Sequence, residues 1–259
     1  MTRNYGSRAI PVDLSPVLKE SPSVDARDCI LPMGETSERV AEQWDISRER
    51  QDEFAAESHR KADAAQQDGR LASEIEPIEV RWIDPETGKE GTKLISKDEG
   101  VRPGTTVESL AKLKPFLRAD GRSTAGNSSQ VSDGAVALTL ARRDVAEAAG
   151  TEILGRWVGT ATKGVKPDVM GIGPAEAVPK LLQRFQLTTD DIDLWELKLD
   201  VGKVNPKGGA IALGHPLGAS GGRLVTSLLA ELRRTGQQVG VATLCCGTGY
   251  GKASLIIAE

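Results

Sequence analysis

The sequence predicts an α/β fold, a mixed sheet packed by helices, with a looser charge-rich region ahead of it. Three observations carry this. Residues 121–259 alternate helical and strand patterns. Leu224, Leu228 and Leu232 fall along one stripe of a helical segment at 220–234, with Val225 and Leu229 beside it. The chain closes with two apolar runs, 239–246 and 252–258, joined by Gly247-Thr248-Gly249-Tyr250-Gly251. Such a strand–turn–strand ending is an antiparallel pair.

The elements follow in chain order. Residues 1–34 read as irregular, punctuated by Pro11, Pro16, Pro22 and Pro32. Thr36 or Ser37 is placed to cap a short helix through Trp44. Ser47 is placed to cap a second helix reaching about Gln67, with Asp52 and Glu53 near its positive end and Gly69 as its stop. Residues 74–83 alternate like a strand, 84–88 form a turn, and a return strand lies near 92–96. Residues 133–148 read as a helix ending before Gly150, and a strand follows at 152–161. Pro174 suits the first turn of a helix through Phe185, which Pro179 should strain or kink. Residues 191–197 read as a buried strand. The expected organisation is therefore 1–120 and 121–259.

With 39% hydrophobic and 27% charged residues, the 259-residue chain has a globular composition. A net charge of −4 suggests no nucleic-acid or anionic-membrane partner. No apolar run is long enough to span a bilayer, and residues 1–20 lack the continuous apolar segment of a secretory signal. The chain does not end in Ser-Lys-Leu. Three cysteines, Cys29, Cys245 and Cys246, argue against a disulfide framework and for a reducing compartment.

The densest stretch is the glycine-rich run 205–223, which contains His215 between Gly214 and Pro216. Glycines let backbone approach a ligand closely, and the proline stiffens the turn, so the imidazole is held in one orientation. The alternative is that His215 only fills a turn. His59 reads as a solvated mid-helix residue among charges. The turn at 247–251 is not a nucleotide cradle, because it leads into a strand instead of a helix. Neighbouring strand residues point to opposite faces, so at most one of Cys245 and Cys246 enters a site while the strand stays regular. Both are otherwise small hydrophobes in a sheet. A cysteine and a histidine at glycine-lined strand ends make an acid/base or nucleophile pair. No third or fourth ligand has spacing suited to a metal.

These residues also resemble a family. GGAIALGHPLGASGGR at 208–223 followed by ATLCCGTGYG at 242–251 is similar to the paired C-terminal signature of thiolases. Upstream, 31–62, 98–103, 110–115, 124–135 and 170–182 resemble thiolase segments in order, and the LPMG and AGNSSQVSDGA variants resemble the peroxisomal 3-ketoacyl-CoA thiolases most. The resemblance implies a thiolase-like fold: the C-terminal half-domain plus a loop domain, with the N-terminal half largely missing. Residues 1–120 would be the remnant of that half and the loop domain covering CoA, and 121–259 the C-terminal α/β domain.

By resemblance, His215 matches the histidine that activates the nucleophile and lines an oxyanion hole, and Cys245 the acid/base cysteine. The Gly247 amide matches an oxyanion donor, and Ser129 a serine touching the pantetheine arm. It implies an acyltransferase acting on 3-ketoacyl-CoA or acetyl-CoA, in lipid metabolism or a biosynthetic pathway. CoA would be a substrate, with no cofactor and no metal. It also implies a homo-oligomer or a complementing chain, and a peroxisomal location. Two departures stand out. Cys29 is the single upstream cysteine and does not lie at the nucleophile motif. After Leu197 the chain passes through Lys198-Leu199-Asp200 to Val204-Asn205-Pro206, without the expected Asn-Glu-Ala-Phe segment. The chain alone is therefore expected to be inactive or incomplete. The alternative is a non-catalytic CoA- or partner-binding remnant.

Overall fold

The structure, a computed structural model, describes residues 14–196 and 203–259. Pro11, Leu197 and the Lys198-Leu199-Asp200 link lie outside the described residues.

Short helices α1 (Pro16–Lys19) and α2 (Val24–Asp28) occupy the stretch expected to be irregular. Pro16 sits in the first turn of α1, where its missing N–H costs nothing. Helix α3 (Met33–Gln43) has Pro32 at its N-cap, four residues before Thr36 and five before Ser37, the expected caps. Helix α4 (Arg48–Gln67) begins where Ser47 predicts, its hydroxyl accepting from the Arg50 N–H at 3.1 Å. Strands β1 (Ile78–Ile83) and β2 (Glu90–Ile95) pair antiparallel as a separate two-stranded sheet. A one-turn helix, α5 (Val107–Ala111), carries a capping box between Thr106 and Ser109.

The predicted helix at 133–148 is largely absent. Only α6 (Arg143–Ala148) is helical, and 131–142 has no regular structure. The run of Ala and Leu favours helix by propensity, but Val136, Leu138 and Leu140 alternate with small residues, which is a strand period.

The main sheet comprises β3 (Gly155–Gly164), β4 (Leu194–Glu196), β5 (Val239–Cys246) and β6 (Tyr250–Ala258), in the order β3-β6-β5-β4. The first two pairings are antiparallel and β5–β4 is parallel, so the sheet is mixed as expected. Among the described residues no strand ahead of Gly155 enters it. Helix α7 (Gly173–Phe185) covers one face over Ala161, Val241, Ala253 and Leu255. Pro179 lies inside α7, which runs unbroken through it. After a one-turn helix α8 (Ala210–Leu213), helix α9 (Leu217–Thr235) covers the other face, packing Val225, Leu228 and Leu232 on Leu194, Ala242, Ile256 and Ala258.

Both sheet edges have partners over part of their length. Outside β3, Arg184 and Lys180 of α7 donate to the carbonyls of Thr160 (2.8 Å) and Thr162 (3.0 Å). Beyond β4, Trp195 forms a parallel bridge with Val204. The Trp195 N–H donates to Lys203 O at 3.1 Å and the Asn205 N–H to Trp195 O at 2.9 Å. The bridged residues lie closer in sequence than the dozen or so residues a crossover between parallel strands ordinarily takes.

A 3₁₀ turn over Pro167–Ile172 brings the start of α7 down onto β6. The approach demands glycine on both sides: a Cβ on Gly251 would lie 1.9 Å from Gly173 O. Gly251→Ala is therefore expected to destabilise the fold by about 3 kcal/mol, the upper end of the range for overpacking, because backbone must move. Urea unfolding of the two proteins measures it, and a loss below about 1 kcal/mol would contradict this packing.

Candidate active site

Chain direction decides what gathers where. Helix α9 leads through a short turn at Gly236 into β5, and α7 leads through another into β4. Each helix therefore runs against its following strand, and its N-terminus lies at the strand's carboxyl end. His215, two residues before α9, and Gly173, at the start of α7, flank the end of β5 that holds Cys245 and Cys246. The carboxyl end of strands is where open α/β sheets bind ligands.

His215 is half-buried, and its Nδ1 lies 2.6 Å from Ser220 Oγ. The Ser220 hydroxyl also donates to Pro216 O at 3.1 Å. The Ser220 oxygen thus ties the imidazole edge to the first turn of α9 and fixes the orientation of the ring. Gly214 makes the turn at φ 84°, and a Cβ there would lie 2.4 Å from Ser132 Oγ.

Cys245 pairs across the sheet with Gly251 and Cys246 with Tyr250. Cys245 shares a face with Val241 on the α7 side, and Cys246 shares a face with Ala242 on the α9 side. The Tyr250 hydroxyl is pushed up in pKa, first by its hydrogen bond with the Cys246 sulfur. Gly247 is exposed at the turn, followed by Thr248 at φ 70° and Gly249 at φ 93°. Cys29, the upstream cysteine that does not lie at the nucleophile motif, has its sulfur 3.9 Å from Thr248 O, against the same turn.

Ser129 is half-buried in a loop clamped from two sides. Glu38 of α3 accepts from the N–H groups of Arg122 (2.9 Å) and Ser123 (2.7 Å). Buried Asp52 of α4 accepts from Asn127 Nδ2 at 2.9 Å. On the far side Gln130 Nε2 donates to Gly100 O at 2.8 Å and Ile211 O at 3.4 Å. The Ser129 loop thus lies along the glycine-rich run that carries His215.

That run is anchored by a buried ion pair. Lys207, 2% exposed, places Nζ 3.2 Å from Glu74 Oε2 and donates to Ser227 O at 3.2 Å. The Ser227 hydroxyl donates to Glu74 Oε2 at 2.8 Å. Beside it, burial pushes Glu196 up to about 8, opposed by the Lys207 charge and reinforced by Glu74 and Glu231.

His59 corrects the expectation of a solvated side chain. It is 3% exposed, its Nδ1 accepts from the Arg102 N–H at 3.2 Å, and burial followed by the Arg102 charge lowers its pKa below 6.5. Its neighbours on the buried face of α4 are Ala55, Ser58 and Ala62, too small to signal a core face in the sequence. Among the described residues no group of His, Cys, Asp and Glu could hold a metal ion.

The chain matches the family models "Thiolase, N-terminal domain" over 19–144 and "Thiolase, C-terminal domain" over 151–258. It belongs to the thiolase family. The peroxisomal 3-ketoacyl-CoA thiolase of Yarrowia lipolytica is 47% identical over 250 residues, covering 91% of this chain and 60% of that protein. The human peroxisomal 3-ketoacyl-CoA thiolase is 50% identical, covering 89% and 58%. The dimeric peroxisomal thiolase of Saccharomyces cerevisiae superposes with a TM-score of 0.84 at 41% identity, covering 96% of this chain and 64% of that one. The chain spans about three fifths of the length of the curated relatives it matches.

Two predictions follow from these side chains. Lys207→Met should cost about 3–5 kcal/mol, since it leaves buried carboxylates without their cation; denaturant unfolding reads the loss. His59, with a depressed folded pKa, contributes stability that is present above pH 6.5 and lost as pH falls through the folded value. His59→Asn, which keeps an acceptor, should flatten the fall in melting temperature below pH 6.5. An unchanged slope would show that another group sets it.

Proposed function

We propose that this chain forms the CoA-facing, proton-transferring part of a thiolase that acts on 3-ketoacyl-CoA and acetyl-CoA in the peroxisome. The supporting observation is the gathering of His215, its ring oriented by Ser220, and the Cys245–Gly247 turn at one end of one sheet. In this reading residues 1–120 cover CoA and 121–259 form the catalytic α/β domain. Ser129 touches the pantetheine arm, and the Gly247 amide donates to the developing oxyanion. Cys245 exchanges a proton with the substrate α-carbon and the leaving thiol, and His215 Nε2 takes the proton of the acyl-accepting thiol. CoA is a substrate, and neither metal nor further cofactor is needed. The working form is an oligomer, or a complex with a chain that completes the site.

In this reading none of the three cysteines is the acyl-accepting thiol: Cys245 moves the α-proton, Cys246 faces the other side of β5, and Cys29 meets the outside of the turn at Thr248 O. The purified chain is therefore expected to cleave acetoacetyl-CoA with free CoA no faster than the uncatalysed reaction, while binding CoA measurably by calorimetry. Turnover abolished by Cys245→Ala would mean that the nucleophile is misassigned. Absence of CoA binding would remove the functional reading altogether.

A further inference from the structure

The β1–β2 hairpin stands apart from the main sheet, each strand pairing only with the other. Every residue of its two strands except Val80 and Ile95 is exposed. A two-stranded hairpin in that condition is marginal in water, and a third strand or a packed face ordinarily completes it. Its outer β1 edge is open. The Asp84 N–H donates to Lys89 O at 2.9 Å, one register step beyond Ile83 and Glu90. Bonding direction alternates along a strand, so Val80 and Trp82 turn their main chain towards β2, while Glu79, Arg81 and Ile83 turn theirs outwards. Among the described residues no main-chain hydrogen bond reaches those three from another segment.

The side chains along that edge are self-complementary. Ile78, Val80 and Trp82 share one face of the strand with Ile95 opposite Ile78, and Ile78 and Trp82 are 55% and 39% exposed. Glu79 and Arg81 lie on the other face. Arg81 holds Glu90 through Nη2 alone, at 2.7 Å, which leaves Nη1 and Nε for a second carboxylate. Glu79 makes no ion pair among the described residues. Two copies of β1 laid antiparallel about a twofold axis at Val80 bring Glu79 of each opposite Arg81 of the other, and Ile78 opposite Trp82. The outward N–H and C=O groups of Glu79 and Arg81 are then all paired, and the apolar side chains of both copies gather on one face. Other registers fail. An axis at Glu79 or at Arg81 sets like charges opposite one another, and a slip of one residue sets Glu79 opposite Trp82. Pro77, with no N–H to give, limits the pairing to β1 itself.

We propose that the outer edge of β1 binds a second copy of this chain, joining two hairpins into one four-stranded antiparallel sheet about a twofold axis at Val80. The contact is isologous, so it closes on itself and leaves each β2 edge outermost. Outermost is the more guarded edge: β2 carries Lys93, ion-paired to Glu99 at 2.6 Å, and Gly91, which adds no side chain to a pairing. The inference does not depend on the catalytic reading.

The test uses the intact chain. Sedimentation is expected to show monomer converting to dimer as concentration rises. Glu79→Arg, which sets two cations opposite each other, should weaken the dimer about tenfold or more. Arg81→Glu should do the same, and an equal mixture of the two variants should regain the original affinity, because each supplies the charge the other has lost. Arg81→Glu also faces Glu90, so a cross-link decides the matter if that variant disturbs the hairpin. Opposed residues at the axis lie within disulfide reach, whereas the two copies of residue 79 lie beyond it. Val80→Cys should therefore oxidise to a dimer linked at position 80, identified by peptide mapping, and Glu79→Cys should not link at position 79. A monomer at every concentration, a dimer indifferent to Glu79→Arg, or equal cross-linking at positions 79 and 80 would overturn the proposal. So would slow exchange of the Glu79 and Arg81 amides that ignores concentration, which would point to residues 1–13 on that edge. None of these readouts involves CoA or turnover, so the pairing can fail while CoA binding succeeds, or the reverse.

Discussion

The arrangement depends most on one buried ion pair. Lys207 and Glu74 are enclosed together, the Ser227 hydroxyl donating to Glu74 Oε2 and the Ser227 carbonyl accepting from Lys207, while Glu74 Oε1 is buried without a hydrogen bond. Glu74 follows the charge-rich lobe's long helix, Lys207 opens the glycine-rich run, and Ser227 lies halfway along α9. One cation thus fastens three parts of the chain that share no sheet. Burying it is expensive, and removing either partner costs more than the pair contributes. Its value is positional, because it fixes where the glycine-rich run starts, and that run is otherwise free to adopt many paths. Glu196 at the end of β4 faces the same charge, and its raised pKa shows how little solvent reaches the cluster.

With that run fixed, the site follows from chain direction. Antiparallel helix–strand steps put the starts of α7 and α9 at one end of the sheet, and the β5–β6 turn closes the same end. Ser129 arrives from another direction, held by carboxylates of α3 and α4. The two faces of β5 divide the cysteines, one towards each helix layer. Ser220, bonded to both the imidazole Nδ1 and the Pro216 carbonyl, then sets the orientation of the His215 ring.

Much of this was legible in the sequence. The Ser47 cap, the leucine stripe of α9 and the closing strand pair all stand where local patterns put them, because each signal is short-range. Two of the misreadings share a cause. At 133–142, alanine and leucine favour a helix by propensity; the alternation of Val136, Leu138 and Leu140 opposes it, and contact with α9, which sequence does not display, decides between them. At His59, burial comes from a face of alanines and serine, which carries little hydrophobic signal. The clamps on the Ser129 loop join residues some 75 to 85 positions apart, beyond any local pattern.

The cations outside β3 have a wider consequence. Arg184 and Lys180 occupy outward carbonyls on one border of the sheet, and Val204 occupies the other. At these positions a foreign strand could pair only by first displacing a partner already there, which blunts both borders against fibre growth.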